Sequence, residues 1–385
     1  MKINGPWLQL AVFALVSASF TNIYITQPIL PVLQEEFRVS PVQVSMTVSI
    51  VILGIVISNL FLGYLADRIS IRPIILIGGL CVAAGGMISS WTHSFNILLL
   101  ARLIQGLFIP ALTTSLAAWL SKTIPAHRLN VIMGSYVSAT VLGGLGGRLL
   151  GGWIHPPLHW RYAMVSAAGL ILVTMAFALA VLPRPPVNDR RSSSGTDGFI
   201  SFLLRKDLIL IYACGASGLL MFQPIFNFLP YRLAGAPFQF STQAITLTYC
   251  VYALGVFLGP IAGRISNTYG GGRTLIVSAI IFAGSVGLLL VPSIIAVISG
   301  LLGICTGFFT MHAVAVGLLN SKLKSGQGKA NALYVLLYYT GGWAGITGAG
   351  FCFERFGWSG VVGFAVCFIV VPLAAGIMEQ RASTQ

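Results

Sequence analysis

Long apolar runs separated by short polar connections dominate the sequence. A membrane-spanning helix requires about 20 apolar residues, and twelve runs approach or exceed this length. They are Leu8–Leu30, Val42–Leu65, Pro73–Trp91, Phe95–Leu120, Val131–Ile154, Trp160–Leu182, Leu208–Pro230, Gln243–Ile265, Thr274–Val291, Ile294–Leu319, Ala330–Phe353 and Trp358–Met378. The pattern predicts an all-α integral membrane protein with twelve transmembrane helices. An even number of spans places both termini on the same side of the membrane.

Composition supports the same class of protein. The chain has 385 residues, of which 56% are hydrophobic and 8% are charged, whereas a soluble domain carries about 25% charged residues. This excludes a soluble globule and a disordered chain. The six Cys all lie in apolar runs without a C-x-x-C pair, so we interpret them as small buried residues and predict no metal and no cofactor. The run after Lys2 continues to Leu30 without a small-residue cleavage site, which predicts an uncleaved first span.

The basic residues are distributed unevenly between alternate connections. The net charge is +14, which in a soluble protein would suggest nucleic acid. Here 16 Lys and Arg fall on one side, 4 fall on the other, and Arg102 and Arg148 lie inside spans. Basic connections stay in the cytoplasm, so both termini are predicted to be cytoplasmic. The expected partner is a lipid bilayer, and no binding of nucleic acid is expected.

The chain divides into two similar halves. Pro183–Asp207 is rich in Pro, Ser and charge, as flexible linkers are, and predicts bundles at 1–182 and 208–385 joined by a cytoplasmic linker at 183–207. Phe61–Ser70 and Phe257–Ser266 share seven of ten residues at an offset of 196. Two six-span halves related by a parallel repeat are typical of secondary transporters.

Three motifs resemble those of the major facilitator superfamily. Gly63–Pro73 is similar to the loop signature between spans two and three, and Arg102–Gly106 to the R-x-x-q-G signature of span four. Five glycines of span five follow the antiporter signature, with Arg148 in place of its proline. In addition, the Asn22–Pro31 segment of the first span is similar to the start of bacterial drug and sugar exporters. The resemblance implies two six-helix bundles, alternating access, a bacterial inner membrane and a functional monomer.

The loop motif supplies candidate gating residues. Gly63 would let two helices approach closely, and Asp67 would pair with a basic group or a helix N-terminus. Arg68 and Arg72 would anchor at the lipid surface, either as part of a cytoplasmic lock or only as topogenic charges. The second copy has Gly263 in place of Asp67, so we expect the two halves to contribute unequally to this lock.

Span five supplies a second candidate gate. Gly143, Gly147 and Gly151 recur every fourth residue and therefore share one helix face. The pattern predicts close helix packing, and the resemblance implies that this face seals the two halves on the outer side. Arg148 either snorkels to the interface or is buried with a partner, for which the candidates are Glu35, Glu36 and Glu354.

Ionisable residues inside spans are candidate functional groups. Arg102 has either a structural or coupling role near the cavity, or snorkels to the outer interface. His312 is the only His inside an apolar run and is the first candidate proton carrier, with packing as the alternative and Asp67 as the second candidate.

The resemblance implies that spans one, four, seven and ten line a central path. Their polar residues either face this path or bond neighbouring helices. The predicted substrate cavity comprises Asn22, Tyr24, Gln27, Arg102, Gln105, Gln223, Asn227, Thr310 and His312. Pro28 and Pro224 are predicted to interrupt the backbone hydrogen-bond ladders of spans one and seven, allowing bends beside these residues.

The function predicted from these features is transport without catalysis. No span has a central Asp or Glu, so a neutral or anionic small organic solute is favoured over a lipophilic cation. We expect proton-coupled export of a drug, sugar or metabolite; the alternative is a uniporter or proton-symporting importer of a sugar or organic acid. No hydrolase, metal or nucleotide-binding motif is present, so no enzyme activity is predicted.

Overall fold

The computed structural model describes residues 6–124, 126–182, 199–323 and 326–382. In these ranges the chain is helical, and no strand is formed. Most of the predicted linker, residues 183–198, lies outside the described residues. Predicted helix ends in the first half hold, except where a span is broken into shorter helices.

The first half contains eight helices and one 3-10 turn. They are α1 (Pro6–Tyr24), a 3-10 turn (Gln27–Ile29), α2 (Leu30–Phe37), α3 (Pro41–Arg68), α4 (Ile71–Trp91), α5 (Phe95–Leu112), α6 (Thr114–Thr123), α7 (Ala126–Ile154) and α8 (Trp160–Val181). The first span is thus broken near Pro28, as predicted. The fourth is broken at Thr113, three residues after Pro110, which was not predicted.

The described part of the second half begins with the 5-residue α9 and ends with the 13-residue α16. Its elements are α9 (Phe199–Leu203), α10 (Lys206–Ala234), α11 (Thr242–Thr248), a 3-10 turn (Tyr249–Ala253), α12 (Leu254–Tyr269), α13 (Gly271–Leu288), α14 (Ile294–Ser321), α15 (Gln327–Cys367) and α16 (Val370–Ala382). The helix α10 continues through Pro224, which has no N–H for the helical hydrogen-bond ladder, and the bend expected there stays a prediction. The eighth span is broken, between α11 and α12.

The helices account for the predicted spans. Ten helical stretches in the described ranges are long and apolar enough to cross a membrane. One of them, Gln327–Ala382, has 56 residues, far more than the 20 or so that one span requires, and its backbone leaves the helical region at Gly357. The 29-residue α7 is also long enough to span. The prediction of an all-α, multi-span membrane protein is therefore confirmed.

Two compact units are formed by the described residues. Helices α1–α8 belong to the first and α9–α16 to the second, except that Thr242–Leu247 of α11 groups with the first. In the first unit, α7 packs along α1 through the glycines of span five. A methyl group on Gly143, Gly147 or Gly151 would overlap the α1 backbone or its continuation at Ser17, Thr21 or Ile25. The predicted close packing is present, and its partner is a helix of the same unit.

The second unit repeats this crossing. A methyl group on Gly341 or Gly345 of α15 would overlap the backbone of Ala216 or Leu220 of α10. Small residues let two helix backbones touch, which maximises van der Waals contact in lipid. The two units therefore share a glycine-mediated helix contact, on helices other than those that carry the repeated Phe61–Ser70 and Phe257–Ser266 segments.

The close approach expected at Gly63 is absent. A methyl group there would meet only Thr114 Cγ2, at an ordinary 3.6 Å. The tight contact of α3 lies earlier in the helix, at Gly54. A methyl group on Gly54 would overlap the backbone of α5, and a methyl group on Gly106 of α5 would overlap the backbone of α3. Gly106, the last residue of the span-four motif, therefore has a packing role.

Candidate functional site

The break in the first span leaves backbone carbonyls without helical partners. Helix α1 ends at Tyr24, and the next turn contains Pro28, which has no N–H to donate. The last carbonyls of a helix must find donors elsewhere, since an unpaired buried carbonyl is destabilising. Asn22 and Ile23 are two residues of this last turn.

Arg102 of α5 supplies the missing donors. Its Nη1 donates to the Asn22 carbonyl at 2.7 Å and its Nη2 to the Ile23 carbonyl at 2.8 Å. Nε donates to the Thr47 carbonyl of α3 at 2.9 Å. The side chain is fully buried, so it does not snorkel. A guanidinium at a helix C-terminus is also favoured by the helix dipole.

Gln105 extends this network to a fourth helix. It accepts a hydrogen bond from Arg102 Nη1 at 2.7 Å, and donates to Asn22 Oδ1 at 3.2 Å and to the Val82 carbonyl of α4 at 3.1 Å. Among the described residues, no ion pair with Arg102 is formed. Asn22, Arg102 and Gln105, all predicted to line the cavity, thus bind one another and join four helices. Bonding between neighbouring helices was the alternative role considered for these polar residues.

Arg148 of α7 lies on the other side of the broken helix. Its Nε donates to Gln27 Oε1 at 2.7 Å, its Nη1 donates to the Gly144 carbonyl at 2.9 Å, and its guanidinium lies 4.3 Å from the centre of the Tyr24 ring. A cation over an aromatic face is attracted electrostatically. The side chain is fully buried. The structure therefore brings together Tyr24 and Gln27, predicted in the cavity, with Arg148, predicted in the gate.

The second unit has no guanidinium in the corresponding place. Gln223 and Asn227 are buried one turn apart on the continuous α10. His312 of α14 shares a hydrogen bond between Nδ1 and Tyr334 Oη, at 3.0 Å. Thr310 lies on the same helix and is partly exposed. The His312 imidazole, the candidate proton carrier, is therefore hydrogen-bonded to the phenol of Tyr334 on α15.

The gating motif is described only in part. The Arg68 guanidinium lies 4.3 Å from the centre of its neighbour Tyr64. Arg72 donates from Nη1 to the Leu182 carbonyl at 2.5 Å, which joins the start of α4 to the end of α8. The Asp67 side chain lies outside the described residues, so its predicted pairing remains a prediction.

A polar cluster at the opposite ends of these helices was missed. Glu36 accepts hydrogen bonds from Trp160 Nε1 and from Arg161 Nη1, the latter at 2.5 Å, and Arg161 also donates to the Thr92 carbonyl at 2.9 Å. Beside it is a cavity of about 390 Å³. Its lining residues are Ser90, Trp91, His93, His159, Arg161, Tyr162 and Val165. The sequence places an acidic residue, Glu36, and a basic residue, Arg161, at the ends of separate spans, which is the signal that could have indicated this cluster. Their pairing depends on the fold.

Two units built on a repeated helix crossing, with buried polar groups beside a broken span, define a multi-pass membrane transporter. The Major Facilitator Superfamily model matches residues 12–321. The chain belongs to this family.

Relatives and solved structures agree with this assignment. The chain is 30% identical over 374 residues to the inner membrane transport protein YnfM of Escherichia coli (strain K12), covering 95% of this chain and 89% of YnfM. It is 28% identical over 349 residues to the uncharacterized MFS-type transporter YybF of Bacillus subtilis (strain 168), covering 89% and 86%. A crystal structure of a bacterial homolog to the human lysosomal transporter Spinster has the same fold, with a TM-score of 0.81, 13% identity and 98% coverage of both chains.

Proposed function

We propose that this protein is a secondary active exporter of a small neutral or anionic organic solute, driven by protons through alternating access in a bacterial inner membrane. The observation that most strongly supports this proposal is that two fully buried guanidinium groups, Arg102 and Arg148, bind residues next to the break in the first span. No Asp or Glu occupies the centre of a predicted span. A positive interior repels a cationic solute and favours an anion or a polar neutral molecule.

Arg148 is the better of the two guanidiniums for recognising a solute. The hydrogen bonds of Arg102 go to three backbone carbonyls and to Gln105, which fix it in a structural network. Arg148 has one backbone partner, the Gly144 carbonyl of its own helix. Its contacts with the broken span are to an amide side chain and an aromatic ring, and side chains rearrange more readily than helix backbone. We therefore assign Arg148, Gln27 and Tyr24 to solute recognition.

Proton coupling is assigned to His312 and its partner. Histidine is the side chain whose unperturbed pKa lies nearest to neutral pH, and chains of ionisable groups in spans serve as proton relays. Tyr334 Oη lies within hydrogen-bond distance of His312 Nδ1, at 3.0 Å, which provides a second group in such a relay. Asp67 remains the second candidate, and both termini are assigned to the cytoplasm.

A uniporter, or a proton-symporting importer of a sugar or organic acid, is the second candidate function. The absence of a central carboxylate favours it, because exporters of cationic drugs commonly rely on such a group. The direction of transport then follows from the gradients alone.

Everted membrane vesicles test the proposal. With an inward-acid pH gradient, neutral or anionic solutes are expected to dissipate the gradient, and lipophilic cations are not. Vesicles lacking the protein serve as the control. Dissipation by cations alone would contradict the charge argument, while equilibration of labelled solute without proton movement would establish the uniporter.

The variant His312→Gln tests proton coupling at this position. It keeps a hydrogen-bonding side chain but cannot carry a proton, so exchange of labelled solute across the membrane should persist while pH-driven accumulation is lost. Unchanged accumulation with an unchanged pH dependence would remove His312 from the coupling mechanism.

A further inference from the structure

Five aromatic rings of the second unit form a continuous series of ring contacts, here called the wall, in which four pairs are within 27° of parallel. The wall comprises Phe222 of α10, Phe308 and His312 of α14, and Tyr334 and Tyr338 of α15. Phe222 and Phe308 are stacked, with centroids 3.8 Å apart and planes 13° apart. Phe308 and His312 are also 13° apart, and Tyr334 and Tyr338 are 19° apart.

Phe308 and Tyr338 join the two ends of the wall with planes 27° apart. His312 and Tyr338 are in closer contact, with centroids 4.7 Å apart and planes tilted by 39°, and His312 and Tyr334 are tilted by 43°. Three helices thus contribute to one connected series of rings, and the faces of His312 and Tyr338 meet at an angle at one end of it.

Neighbouring rings of the same unit pack in the opposite way. Phe226 and Tyr252 are 88° apart, Tyr252 and Phe309 are 84° apart, and Phe308 and Phe309 are 65° apart. Edge-to-face contact of this kind is a favourable way to fill an aromatic core. Phe228 and Phe353, elsewhere in the unit, are also stacked, with planes 26° apart, so the wall differs from its surroundings in the number of linked near-parallel pairs.

The wall is buried at one end and accessible at the other. Phe222, Phe308 and Tyr334 are at most 2% exposed, whereas His312 and Tyr338 are partly exposed. His312 lies nine residues before the end of α14 and Tyr338 eleven residues after the start of α15, so both are roughly 15 Å from the same predicted membrane face. A partly exposed ionisable residue at this depth faces the protein interior or a water-filled cavity, not lipid.

The accessible end also offers a polar group. The hydrogen bond described for His312 uses Nδ1, and Nε2 is the second hydrogen-bonding position of the imidazole. A planar ring stacked beside Tyr338 would place a polar edge near this nitrogen. An aromatic face with one adjacent hydrogen-bonding group suits an aromatic or heteroaromatic molecule better than a saturated one.

We propose that this wall binds the planar aromatic part of the transported solute at Tyr338 and His312. The inference rests on the proposed transport function and narrows its substrate class to aromatic or heteroaromatic compounds, anionic or neutral. A purely structural wall would contribute only to stability and would not discriminate between flat and saturated ligands.

Matched acids test this by binding, without requiring transport. Purified protein is melted in detergent with 2-naphthoate or with its saturated counterpart decahydro-2-naphthoate, and with the pair benzoate and cyclohexanecarboxylate. The two acids of a pair share their charge and carbon skeleton, and a ligand bound to the folded state raises Tm. Wild type should bind the aromatic acid roughly 2- to 12-fold more tightly than the saturated one.

Three variants complete the test. Tyr338→Leu should abolish the aromatic preference, and Tyr338→Phe should retain it. Tyr231→Leu removes a ring that packs on Phe228 and Phe353, elsewhere in the unit, and should lower Tm without changing the preference. Equal binding of both acids by wild type, no binding of either acid, or a preference that survives Tyr338→Leu would overturn the proposal. Aromatic preference without proton exchange for any solute would instead contradict the transport function and leave the wall intact.

Discussion

The two units share a helix crossing but differ in what fills their interiors. In both, glycines of one helix contact the backbone of another: α7 on α1 in the first unit, and α15 on α10 in the second. Beside this contact the first unit has two buried guanidiniums, whereas the second has stacked aromatic rings. The difference follows the backbone: α1 ends at Tyr24 and exposes the carbonyls of Asn22 and Ile23. The helix α10 continues through the matching region, and its Phe226 carbonyl, four residues before Pro230, accepts a hydrogen bond from the Tyr249 hydroxyl.

This comparison teaches that a buried charge can be a consequence of helix geometry. Arg102 has no acidic partner among the described residues, yet its donors are paired with carbonyls that a helix break has released. In α10 only Pro224 and Pro230 lack an N–H donor, and the Phe226 carbonyl opposite Pro230 is paired with a neutral phenol, Tyr249. The second unit therefore satisfies a released carbonyl with a hydroxyl where the first unit uses a guanidinium.

The largest expected effect comes from removing Arg102. Arg102→Leu would leave the carbonyls of Asn22 and Ile23 unpaired in the membrane, would remove the additional donor to the Thr47 carbonyl inside α3, and should reduce stability by roughly 3–5 kcal/mol. The melting temperature in detergent should fall by about 10 °C or more, or the protein should fail to fold. Arg355→Leu, at an exposed position, is the control. A melting temperature close to that of wild type would show that the carbonyls find other donors.

Overpacking the repeated crossing tests whether the units are equivalent. Gly147→Ala and Gly345→Ala each place a methyl group against a facing carbonyl and should each destabilise by about 1–3 kcal/mol. Gly263→Ala has open space around it and should be neutral or slightly stabilising. Thermal unfolding of the three variants measures this. A large loss at only one of the two crossings would break the proposed correspondence between the units.

Arg148 tests the electrostatic side of the comparison. Arg148→Met keeps an apolar stem of similar length but removes the charge, and should raise KM for an anionic solute roughly tenfold, or about 1.4 kcal/mol, with a smaller effect on a neutral one. Arg148→Lys should restore part of the affinity, because it keeps the charge. Vesicle transport of both solute types measures the ratio. Equal losses for neutral and anionic solutes would assign Arg148 to structure alone.

The smallest effect on stability is expected at Gly63. Gly63→Ala adds a methyl group 3.6 Å from Thr114 Cγ2, so stability should be unchanged or rise by less than about 1 kcal/mol. If Gly63 has a gating role, transport should fall although the melting temperature does not. Wild-type transport by this variant would remove Gly63 from the gate.

The hydrophobic pattern was sufficient to predict an all-α membrane protein and to locate its apolar spans. Backbone groups in lipid must be paired within their own segment, so a long apolar run can only become a helix. The repeat was also visible, because the Phe61–Ser70 and Phe257–Ser266 segments are alike. Prolines were less informative: Pro28 accompanies a break, Pro224 does not, and the eighth span breaks between α11 and α12 with no proline at the break.

The sequence by itself determined which residues enter the membrane and which of them are polar. The tertiary structure decided what those polar residues bind. Arg102 meets carbonyls of α1 and α3, Arg148 meets Tyr24, and His312 meets Tyr334. These partners lie on other helices, and a hydrogen bond or ring contact depends on helix rotation and separation to within an ångström or so. Helix packing sets that geometry, and the order of residues along a single span does not encode it.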